Sequence, residues 1–441
     1  MTDKINYRVE PGGRIHGEAR VPGDKSISHR AIMLGSLADG EVHISGFLEG
    51  EDALATLQAF RALGVKIKGP DQGRVVVRGA GLHGLRAPRT ALDLGNSGTS
   101  MRLMAGLLSG QPFATELTGD ASLSKRPMRR VIAPLTQMGA RISGSAEGFA
   151  PLQIQPAGGL HGIDYTLPVA SAQIKSCILL AGLYAQGTTC VTEPGPTRDH
   201  TERMLRGFGW PVEVTAGGDG QRRICVHGGH RLQATDIDVP ADISSAAFFM
   251  VGASIAAESV LVLKHVGVNP TRTGVIEILR LMGADLTLRN QREVGGEPVA
   301  DIEVRSSQLH GIEIPAALVP LAIDEFPVLF VAAACARGRT VLTGAEELRV
   351  KESDRIQVMA DGLNTLGIQA TPTADGIVIE GGRLQGGEVD SHGDHRIAMA
   401  FAIAALRAAG TITIGDCANV ATSFPGFAAT AAVLGLRISD R

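Results

Sequence analysis

The sequence predicts a two-domain α/β protein that is built from six copies of one structural unit. Two observations support this prediction. Six short polar clusters precede apolar helical segments at nearly even spacing, and six second helices end on a similar glycine-containing pattern. The length of 441 residues agrees with it, because domains commonly contain about 100–200 residues.

The polar clusters mark the start of each unit. The clusters begin at Gly23, Gly95, Val169, Ala241, Ala322 and Ser391. Successive starts are therefore 72, 74, 72, 81 and 69 residues apart. Each cluster leads into an apolar helix, a glycine-containing turn and an alternating strand such as "EVHISGF" or "TITIGD". The second helices end with "FRALGVKI", "LTQMGARI", "LRGFGWPV", "LRLMGADL", "LNTLGIQA" and "AAVLGLRI". Chance repetition of glycine turns does not preserve both spacing and order over six copies.

The repeat divides the chain into two halves of three units each. We expect one domain at 23–240 and a second domain at 241–441, to which the strand-like residues 1–22 also belong. Proline and glycine in "VPG" and "VPAD" suit chain crossings near 21–24 and 239–242.

Composition excludes several functional classes. The net charge is −3 and aromatic residues make up only 4%, so the chain lacks the basic field and the stacking surfaces typical of nucleic-acid binding. The longest apolar runs are too short to span a membrane, and "MTDKINYRVE" contains no apolar signal core. The five cysteines are scattered, and we expect them to be thiols rather than metal ligands or disulfides. These features predict a cytoplasmic protein.

Several helix starts carry more donors and cations than capping requires. In "GDKSISHRA", Lys25 and Ser26 open the helix and Arg30 follows one turn later on the face of Ser26. Helix N-termini bind anions, so this stretch is either an anion site or a solvated helix end. "LGNSGTSMRL" places Gly98 before a helix, where a ligand can approach the backbone, although many such loops are plain turns. In "SLSKRPMRR", Arg126 precedes a proline and is expected to be extended.

The third unit adds further polar residues. "SAQIKS" contains Gln173 and Lys175, and "TRDHTE" contains Arg198 and His200. A lone histidine such as His200 is more often structural than catalytic, and "RDHTE" equally suits an ion-paired helix start.

The second half contains the strongest candidates for acid–base chemistry. In "AIDEFPVLF", Asp324 and Glu325 interrupt an apolar run, where a carboxylate is either a desolvated base or the N-cap of a buried helix. Two other stretches, "RVKESDRI" and "HGDHRIAM", contribute Lys351, Glu352, Arg355, His395 and Arg396, although the first stretch equally suits an exposed ion-paired helix. No metal-binding pattern, phosphate-binding Walker loop or dinucleotide fingerprint occurs at the proper spacing. Many separated cations with a few carboxylates suit two polyanionic small molecules with acid–base chemistry between them.

These motifs together resemble the family of EPSP synthase (3-phosphoshikimate 1-carboxyvinyltransferase) over essentially the whole chain. The resemblance rests on "GDKSISHRA", "LGNSGTSMRL", "SKRPM", "SAQIKS", "AIDEFPVL", "KESDRI", "GDHRIAM" and "TSFPGF", which occur in the family's order. "SAQIK", "RDHTE" and "NPTR" resemble the family's second class, which is often less sensitive to glyphosate.

The resemblance implies the inside-out α/β barrel fold, with three βαβαββ units in each of two domains that close on substrate binding. It also implies transfer of the carboxyvinyl group of phosphoenolpyruvate to the 5-hydroxyl of shikimate-3-phosphate, in chorismate and aromatic amino acid biosynthesis. Phosphate leaves by addition–elimination, and no metal or organic cofactor takes part. We expect a monomer whose partners are these two substrates, with glyphosate as an inhibitor.

The resemblance further implies a role for each matching residue. Lys25 is expected to touch both substrates and to take part in catalysis, and Gln173 to lie between them. Asp324 accepts the proton of the 5-hydroxyl, Glu352 is the acid near the methylene carbon, and His395 supports the second step. The remaining shikimate-3-phosphate ligands are Ser26, Arg30, Ser171, Arg198 and Lys351. The remaining phosphoenolpyruvate ligands are Gly98, Arg126, Arg355 and Arg396.

One position departs from the family pattern. Many first-class members have a lysine where this chain has Thr422 in "ATSFP", so a cation on the phosphoenolpyruvate side is missing or replaced. The class markers favour glyphosate tolerance and Gly98 favours sensitivity. We therefore expect weaker inhibition than in a first-class enzyme. His29 has no role that the sequence explains.

Two alternatives remain at this point. UDP-N-acetylglucosamine enolpyruvyl transferase shares the fold and the donor, but it usually has Lys-Asn at the first helix and a reactive cysteine in the second unit. This chain has Lys-Ser there and no cysteine at 95–168. A non-catalytic repeat protein that binds anionic metabolites is the second alternative, and it would not require Asp324 and Glu352.

Overall fold

The computed structural model describes residues 5–217 and 220–440, which divide into two compact units. The N-terminal unit comprises 23–239 together with the short segment 294–297. The C-terminal unit comprises 5–22, 240–293 and 298–440. Each unit has its own hydrophobic core.

Within 5–217 and 220–440, the α-helices form six consecutive pairs, three in each unit. Their bounds are α1 (Lys25–Leu37), α2 (Glu51–Ala62), α3 (Gly98–Leu108), α4 (Arg129–Gln137), α5 (Ala172–Gly182), α6 (His200–Gly207), α7 (Ile243–Ile255), α8 (Gly274–Leu281), α9 (Phe326–Cys335), α10 (Arg355–Thr365), α11 (His395–Ala404) and α12 (Phe427–Val433).

The strands are mostly short. Two precede the first helix, namely β1 (Tyr7–Gly13) and β2 (His16–Ala19). Those of the N-terminal unit are β3 (Ala38–Asp39), β4 (Glu41–Ser45), β5 (Lys66–Asp71), β6 (Arg74–Arg78), β7 (Leu92–Asp93), β8 (Thr115–Thr118), β9 (Arg141–Ser143), β10 (Leu152–Gln155), β11 (Leu160–His161), β12 (Asp164–Thr166), β13 (Ala185–Gln186), β14 (Thr188–Glu193), β15 (Val212–Ala216), β16 (Arg222–His227), β17 (Leu232–Gln233) and β18 (Ile237–Asp238). The later strands are β19 (Val260–Gly267), β20 (Asp285–Val294), β21 (Glu297–Arg305), β22 (Arg339–Leu342), β23 (Ala370–Pro372), β24 (Ile377–Glu380), β25 (Gly387–Asp390), β26 (Ile412–Gly415) and β27 (Leu436–Asp440).

The same sheet recurs in every repeat. In the N-terminal unit the strand orders are β18-β4-β6-β5, β7-β8-β10-β9 and β12-β14-β16-β15, with a parallel first pair and two antiparallel pairs. The C-terminal unit contains β2-β19-β21-β20, β22-β24-β23 and β25-β26-β1-β27. A parallel bridge from Glu313 to Val341 extends the three-stranded sheet at β22. The predicted sixfold α/β repeat is confirmed.

The first helix of each repeat lies in the core. Every residue of α7 is buried, in agreement with its sequence "ISSAAFFMVGASI", which is apolar on all faces. In the C-terminal unit α7, α9 and α11 pack against one another, and in the N-terminal unit α3 packs against α5 and α1. Helices in the centre and sheets around them are the inside-out arrangement that the sequence resemblance implies.

The second helices are amphipathic and cover the sheets. In α2, for example, Ala53, Leu57 and Phe60 are buried at spacings of three and four residues, while Gln58 on the opposite face is exposed. None of the helices within 5–217 and 220–440 is long and apolar enough to cross a membrane.

One segment differs from the expected domain plan. The second domain was expected to include 241–441 without interruption, but 294–297, at the turn between β20 and β21, belongs to the N-terminal unit. There Glu297 is buried and its Oε1 lies 2.7 Å from Nδ1 of His200. The sequence did not reveal that 294–297 belongs to the N-terminal unit, because His200 and Glu297 are 97 positions apart.

The expectation that all five cysteines are thiols is wrong for one pair. Cys190 on β14 and Cys225 on β16 form a disulfide. They are direct partners in the antiparallel ladder, and their Cα atoms are 4.1 Å apart. A separation of 35 residues gives no indication of strand register, which explains the error. Cys177, Cys335 and Cys417 are free thiols, as expected.

The contact between α3 and α5 depends on a glycine. A Cβ atom at Gly106 would lie only 2.1 Å from the carbonyl oxygen of Cys177 in the facing helix. Because that oxygen belongs to helix backbone, the helices would have to separate. We predict that Gly106→Ala lowers the free energy of unfolding by about 1–3 kcal/mol, measured by urea denaturation.

Gly207 is the matched control for this substitution. It also lies in a helix, α6, but a Cβ atom there would meet nothing within 4 Å. Gly207→Ala should leave stability unchanged or raise it by up to about 1 kcal/mol. Equal stability of the two variants would contradict the close-packing argument.

Candidate active site

The first turns of α1, α3 and α5 meet within the N-terminal unit. Nδ1 of His29 lies 2.8 Å from Oγ1 of Thr56 and 3.3 Å from Oγ of Ser100, which joins α1 to α2 and α3. Nη2 of Arg30 donates to Oγ of Ser176 at 2.9 Å, which joins α1 to α5. Three helix N-termini, each with partial positive charge, therefore lie side by side.

Arg30 is a fixed cation in this group. Besides Ser176, its guanidinium donates to Oγ1 of Thr201 at 2.7 Å and to the carbonyl oxygen of Ser26 at 2.9 Å. Burial lowers its pKa to about 10, with Glu202 acting in the opposite direction, so the group stays charged at neutral pH. Its hydrogen bonds go to neutral oxygens, so its charge remains available to an anion.

His29, whose role the sequence left open, is a packing residue. It is fully buried, and burial together with the charges of Lys25 and Arg30 holds its pKa well below the usual value. It is therefore neutral at pH 7. Its hydrogen bonds to Thr56 and Ser100 hold the helices that carry the neighbouring site residues.

Lys25 occupies the first position of α1. Asp24 caps the helix by accepting from the backbone N–H of Ile27 at 2.9 Å. The ammonium group of Lys25 pairs with the buried carboxylate of Asp52 at the start of α2. This pairing places the lysine at the polar end of the helix, beside the partly buried Ser26.

The start of α3 gathers guanidinium groups around Gly98. A Cβ atom on Gly98 would lie 3.2 Å from Nη1 of Arg126 and 2.8 Å from Nη1 of Arg102. Nη2 of Arg126 donates to Oδ1 of Asn96 at 2.8 Å, and Asn96 in turn donates to Asp120 at 2.7 Å. Glycine thus leaves room for both arginines beside the helix N-terminus.

The start of α5 joins this group through Gln173. Its Oε1 accepts from Nη1 of Arg102 at 2.5 Å, and its Nε2 donates to Oγ1 of Thr99 at 3.0 Å. Ser171 is the N-cap of α5 and accepts from the N–H of Ile174 at 3.5 Å. We name the group of Lys25, Ser26, Arg30, Gly98, Arg102, Arg126, Ser171, Gln173 and Arg198 the N-terminal cluster.

A second group forms at the starts of α9, α10 and α11 in the C-terminal unit. Oδ1 of Asp324 lies 3.4 Å from Nη1 of Arg355 and 3.7 Å from Nζ of Lys351. The carbonyl oxygen of Asp324 accepts from Nη1 of Arg396 at 2.9 Å. We name the group of Asp324, Lys351, Glu352, Arg355, Asp394, His395 and Arg396 the C-terminal cluster.

Asp394 holds Arg355 in place. The carboxylate caps α11 and accepts from Nε of Arg355 at 2.8 Å, and Glu352 accepts from Nη2 of Arg355 at 2.6 Å. Burial by itself would raise the pKa of Asp394, but the guanidinium outweighs it and the net pKa is lowered. Burial likewise disfavours charge on Arg355, yet Asp394, Glu352 and Asp324 raise its pKa above the usual value.

Glu325 has a structural environment distinct from that of Asp324. Its side chain is fully buried, accepts from Oγ of Ser244 at the start of α7, and lies 3.8 Å from Nη2 of Arg272. Arg272, from the motif "NPTR", also donates to Ser244 at 2.7 Å. The adjacent carboxylates of "AIDEF" are thus separated: Glu325 pairs beneath α9, whereas Asp324 joins Lys351 and Arg355.

Thr422 supplies no charge where the family pattern has lysine. It is buried, and its Oγ1 donates to the carbonyl oxygen of Asn419 at 2.7 Å. His395 and Arg396 lie in the first turn of α11, next to the Asp394 cap.

The structure therefore groups the predicted site residues by unit. Lys25, Ser26, Arg30, Gly98, Arg126, Ser171, Gln173 and Arg198 lie at helix starts or the adjoining loops of the N-terminal unit. Asp324, Lys351, Glu352, Arg355, His395 and Arg396 lie in the C-terminal unit. Sequence reasoning missed Arg102 and Asp394, although Arg102 follows Gly98 by four residues, as Arg30 follows Ser26.

The arrangement suits small anionic ligands and proton transfer. Each cluster combines guanidinium groups, which bind phosphate or carboxylate through two hydrogen bonds, with a lysine. The C-terminal cluster adds carboxylates that are held in place by those cations. Within 5–217 and 220–440, no group of three or more His, Cys, Asp or Glu side chains could hold a metal ion.

Fold and clusters together define a transferase that acts on small anionic substrates. Residues 9–430 match the family model for EPSP synthase (3-phosphoshikimate 1-carboxyvinyltransferase), and the chain belongs to this family. Its place is thus among the carboxyvinyl transferases of the shikimate pathway, which leads to the aromatic amino acids.

Individual relatives are similar over their full length. A 3-phosphoshikimate 1-carboxyvinyltransferase from Alkalilimnicola ehrlichii is 68% identical over 99% of this chain and 97% of its own length. One from Methylococcus capsulatus is 66% identical over 99% of both chains. The solved EPSP synthase of Acinetobacter baumannii has 58% identity and a TM-score of 0.89, and the match covers 99% of this chain and all of that one.

The pairing of Asp394 with Arg355 leads to a prediction about pH. The lowered pKa of Asp394 means that its stabilisation is fully present above about pH 4 and is lost as the pH falls through its folded pKa. Asp394→Asn should lower the free energy of unfolding by about 3–5 kcal/mol at pH 7, because Arg355 stays buried with one fewer partner. Below about pH 4 the difference in free energy of unfolding between Asp394→Asn and the wild type should become smaller.

Thermal unfolding between about pH 3 and pH 7 measures this effect. Asp285→Asn, at an exposed position of β20, should follow the wild-type profile at every pH. A gap between Asp394→Asn and the wild type that stays constant across this range would contradict the ionic role of Asp394.

Proposed function

We propose that the two clusters carry out the family reaction, in which the enolpyruvyl group of phosphoenolpyruvate passes to the 5-hydroxyl of shikimate-3-phosphate. The observation that supports this most strongly is the grouping of polar helix starts in each unit. The buried helices α1, α3 and α5 of the N-terminal unit carry Arg30, Arg102 and Gln173 at their starts, and Arg126, from the loop before α4, lies beside Gly98. Both substrates carry a phosphate and a carboxylate, which such cations bind.

The N-terminal cluster is assigned chiefly to substrate binding. Ser26, Arg30, Ser171 and Arg198 bind shikimate-3-phosphate. Gly98 and Arg126 bind phosphoenolpyruvate, while Lys25 and Gln173 contact both substrates. The hydrogen bonds of Gln173 to Arg102 and Thr99 support this intermediate position, because they tie the start of α5 to the start of α3.

The C-terminal cluster is assigned to proton transfer and to further anion binding. Asp324 accepts the proton of the 5-hydroxyl while the hydroxyl oxygen bonds to C2 of phosphoenolpyruvate. In the same step Glu352 donates a proton to C3. Phosphate then leaves C2 and a proton passes from C3 back to the Glu352 carboxylate, a step that His395 assists. Lys351 completes the shikimate-3-phosphate ligands, and Arg355 and Arg396 complete those of phosphoenolpyruvate.

The surroundings of Asp324 support its role as base. Lys351 and Arg355 lie 3.7 Å and 3.4 Å from its Oδ1, so the carboxylate is held next to cations that bind the substrates in this scheme. Fixed charges of this kind stabilise negative charge that develops in the tetrahedral intermediate without needing to reorganise.

A change at Asp324 tests the assignment. Asp324→Asn keeps the shape of the side chain but cannot accept the proton. We predict that turnover falls by roughly 10²–10⁴, while shikimate-3-phosphate binding stays within about tenfold. Phosphate release gives turnover, and calorimetry gives binding. Asp361→Asn, at an exposed position of α10, is the control and should match the wild type. Unchanged turnover of Asp324→Asn would remove it from the base role.

Phosphate release from phosphoenolpyruvate that depends on shikimate-3-phosphate distinguishes this function from the alternatives. UDP-N-acetylglucosamine should not replace the acceptor. The free cysteines offer no reactive thiol, because burial raises the pKa of Cys177, Cys335 and Cys417 to about 12. A non-catalytic binding protein would release no phosphate with either acceptor.

Glyphosate should inhibit this chain, but less strongly than a first-class member. Gly98 lets Arg102 and Arg126 lie close to the start of α3, whereas Thr422 provides no cation. Inhibition should be competitive with phosphoenolpyruvate in steady-state kinetics. Gly98→Ala should weaken the binding of both glyphosate and phosphoenolpyruvate, because the added Cβ would displace the ends of Arg102 and Arg126. Absence of competition at millimolar glyphosate would contradict this prediction.

The remaining properties follow from the same proposal. The chain is a second-class member on the basis of "SAQIK", "RDHTE" and "NPTR". It acts as a monomer in the cytoplasm.

A further inference from the structure

A buried ionic group lies inside the N-terminal unit, next to residues assigned to shikimate-3-phosphate. Nζ of Lys175 lies 2.9 Å from Oε2 of Glu193 and 2.6 Å from Oε1 of Glu202. The side chain of Lys175 is 0% exposed, and those of the two glutamates are 1% and 3% exposed. The proposed reaction makes no use of this group.

The three residues enclose one short loop. Glu193 is the last residue of β14, and Glu202 lies in the first turn of α6, so the loop 194–199 runs between them. Lys175 reaches both ends of this loop from α5. Within the loop, Oγ1 of Thr197 donates to the same Oε2 of Glu193 at 2.6 Å. Arg198, the next residue, is therefore attached to a segment that is held at both ends.

The same group also supports Arg30. Thr201 precedes Glu202 in α6, and its Oγ1 accepts from Nε of Arg30 at 2.7 Å. Oγ of Ser176, which follows Lys175 in α5, lies 2.7 Å from Oγ1 of Thr201 and accepts from Nη2 of Arg30 at 2.9 Å. Displacement of α6 relative to α5 would therefore separate Thr201 from Ser176, which are two of the three hydrogen-bond partners of Arg30.

The chemistry of the group favours a positioning role over a gain in stability. Removing three charges from water is costly, and apolar residues of similar size often stabilise a protein equally well. Two carboxylates face one ammonium, and Oε1 of Glu193 and Oε2 of Glu202 have no hydrogen-bond partner within 5–217 and 220–440. Such an arrangement specifies geometry.

We propose that Lys175, through Glu193 and Glu202, is a positioning residue that sets Arg198 and Arg30 for the binding of shikimate-3-phosphate. This inference rests on the proposed function of the two arginines. It predicts a selective effect. Loss of the ionic group weakens the binding of shikimate-3-phosphate and leaves the binding of phosphoenolpyruvate and the rate of the chemical step nearly unaffected.

Glu202→Gln is the first test. It leaves Lys175 balanced by Glu193, so no unpaired charge remains in the core, but it weakens the attachment of α6. The KM for shikimate-3-phosphate should rise roughly 10–100-fold, as expected when hydrogen bonds to charged groups are misplaced. The KM for phosphoenolpyruvate and kcat should each change by less than about threefold.

A second variant guards against misfolding. Lys175→Met alone would leave two buried carboxylates without a cation, so it is combined with Glu193→Gln and Glu202→Gln. This triple variant carries no charge at the site and should fold, with the same selective rise in the KM for shikimate-3-phosphate. Thermal unfolding of both variants records stability separately from kinetics.

The control removes a buried charge from the other unit. Asp301 is buried and pairs with Lys264 at 2.8 Å within the C-terminal unit. Asp301→Asn should lower the melting temperature and leave both KM values unchanged.

The positioning role would be overturned if Glu202→Gln and the triple variant lost stability while the KM for shikimate-3-phosphate stayed unchanged. Equal rises in the KM values for the two substrates would also overturn it. Failure of the proposed function has a different signature: the wild type itself would show no phosphate release that depends on shikimate-3-phosphate.

Discussion

The burial of nearly the whole first helix in each repeat is the constraint on which the rest of the structure depends. A helix such as α7, apolar on every face, stabilises the core along its whole length, but the N–H groups of its first turn must still find partners. The repeats solve this with polar first turns, capped by Asp24, Ser97, Ser171, Asp242 and Asp394. Since the core places these helices side by side, their polar starts are grouped as well. Folding thereby produces the N-terminal and C-terminal clusters from the helices that form the core.

Cations that are grouped in this way would repel one another. In the structure, individual cations pair with carboxylates. Lys25 pairs with Asp52, Arg355 with Asp394 and Glu352, and Arg272 with Asp242 and Glu325. Arg30 differs, because it is held by hydroxyl and carbonyl oxygens and its pKa of about 10 reflects burial. The neutral partners of Arg30 leave its charge for an incoming anion, whereas Arg355 shares its charge with fixed carboxylates.

The repeat made the architecture predictable, because six copies of one pattern allow only a fold in which equivalent helices are packed equivalently. Candidate site residues that lie close together in sequence, such as Lys25, Ser26 and Arg30, could be grouped from a single stretch, and they do share the start of α1. Partners distant in sequence could not be grouped in this way: Asp394 is 39 residues from Arg355, and Glu202 is 27 residues from Lys175. The disulfide between Cys190 and Cys225 was missed for the same reason, since strand register decides it. Convergence of helix starts is likewise a property of packing that no single segment reveals.

The two adjacent carboxylates of "AIDEF" illustrate how packing assigns chemistry to sequence. Both interrupt the same apolar run, and the segment alone does not separate a base from a structural acid. Ser244 and Arg272 contact Glu325, which is fully buried, so this carboxylate is committed to holding the start of α9. Asp324 is 15% exposed and faces Lys351 and Arg355 instead. Because Glu325 anchors the turn, the carbonyl of Asp324 can bind Arg396 while its carboxylate remains partly exposed. Packing thus gives two adjacent carboxylates different environments, one closed to solvent and one open to it.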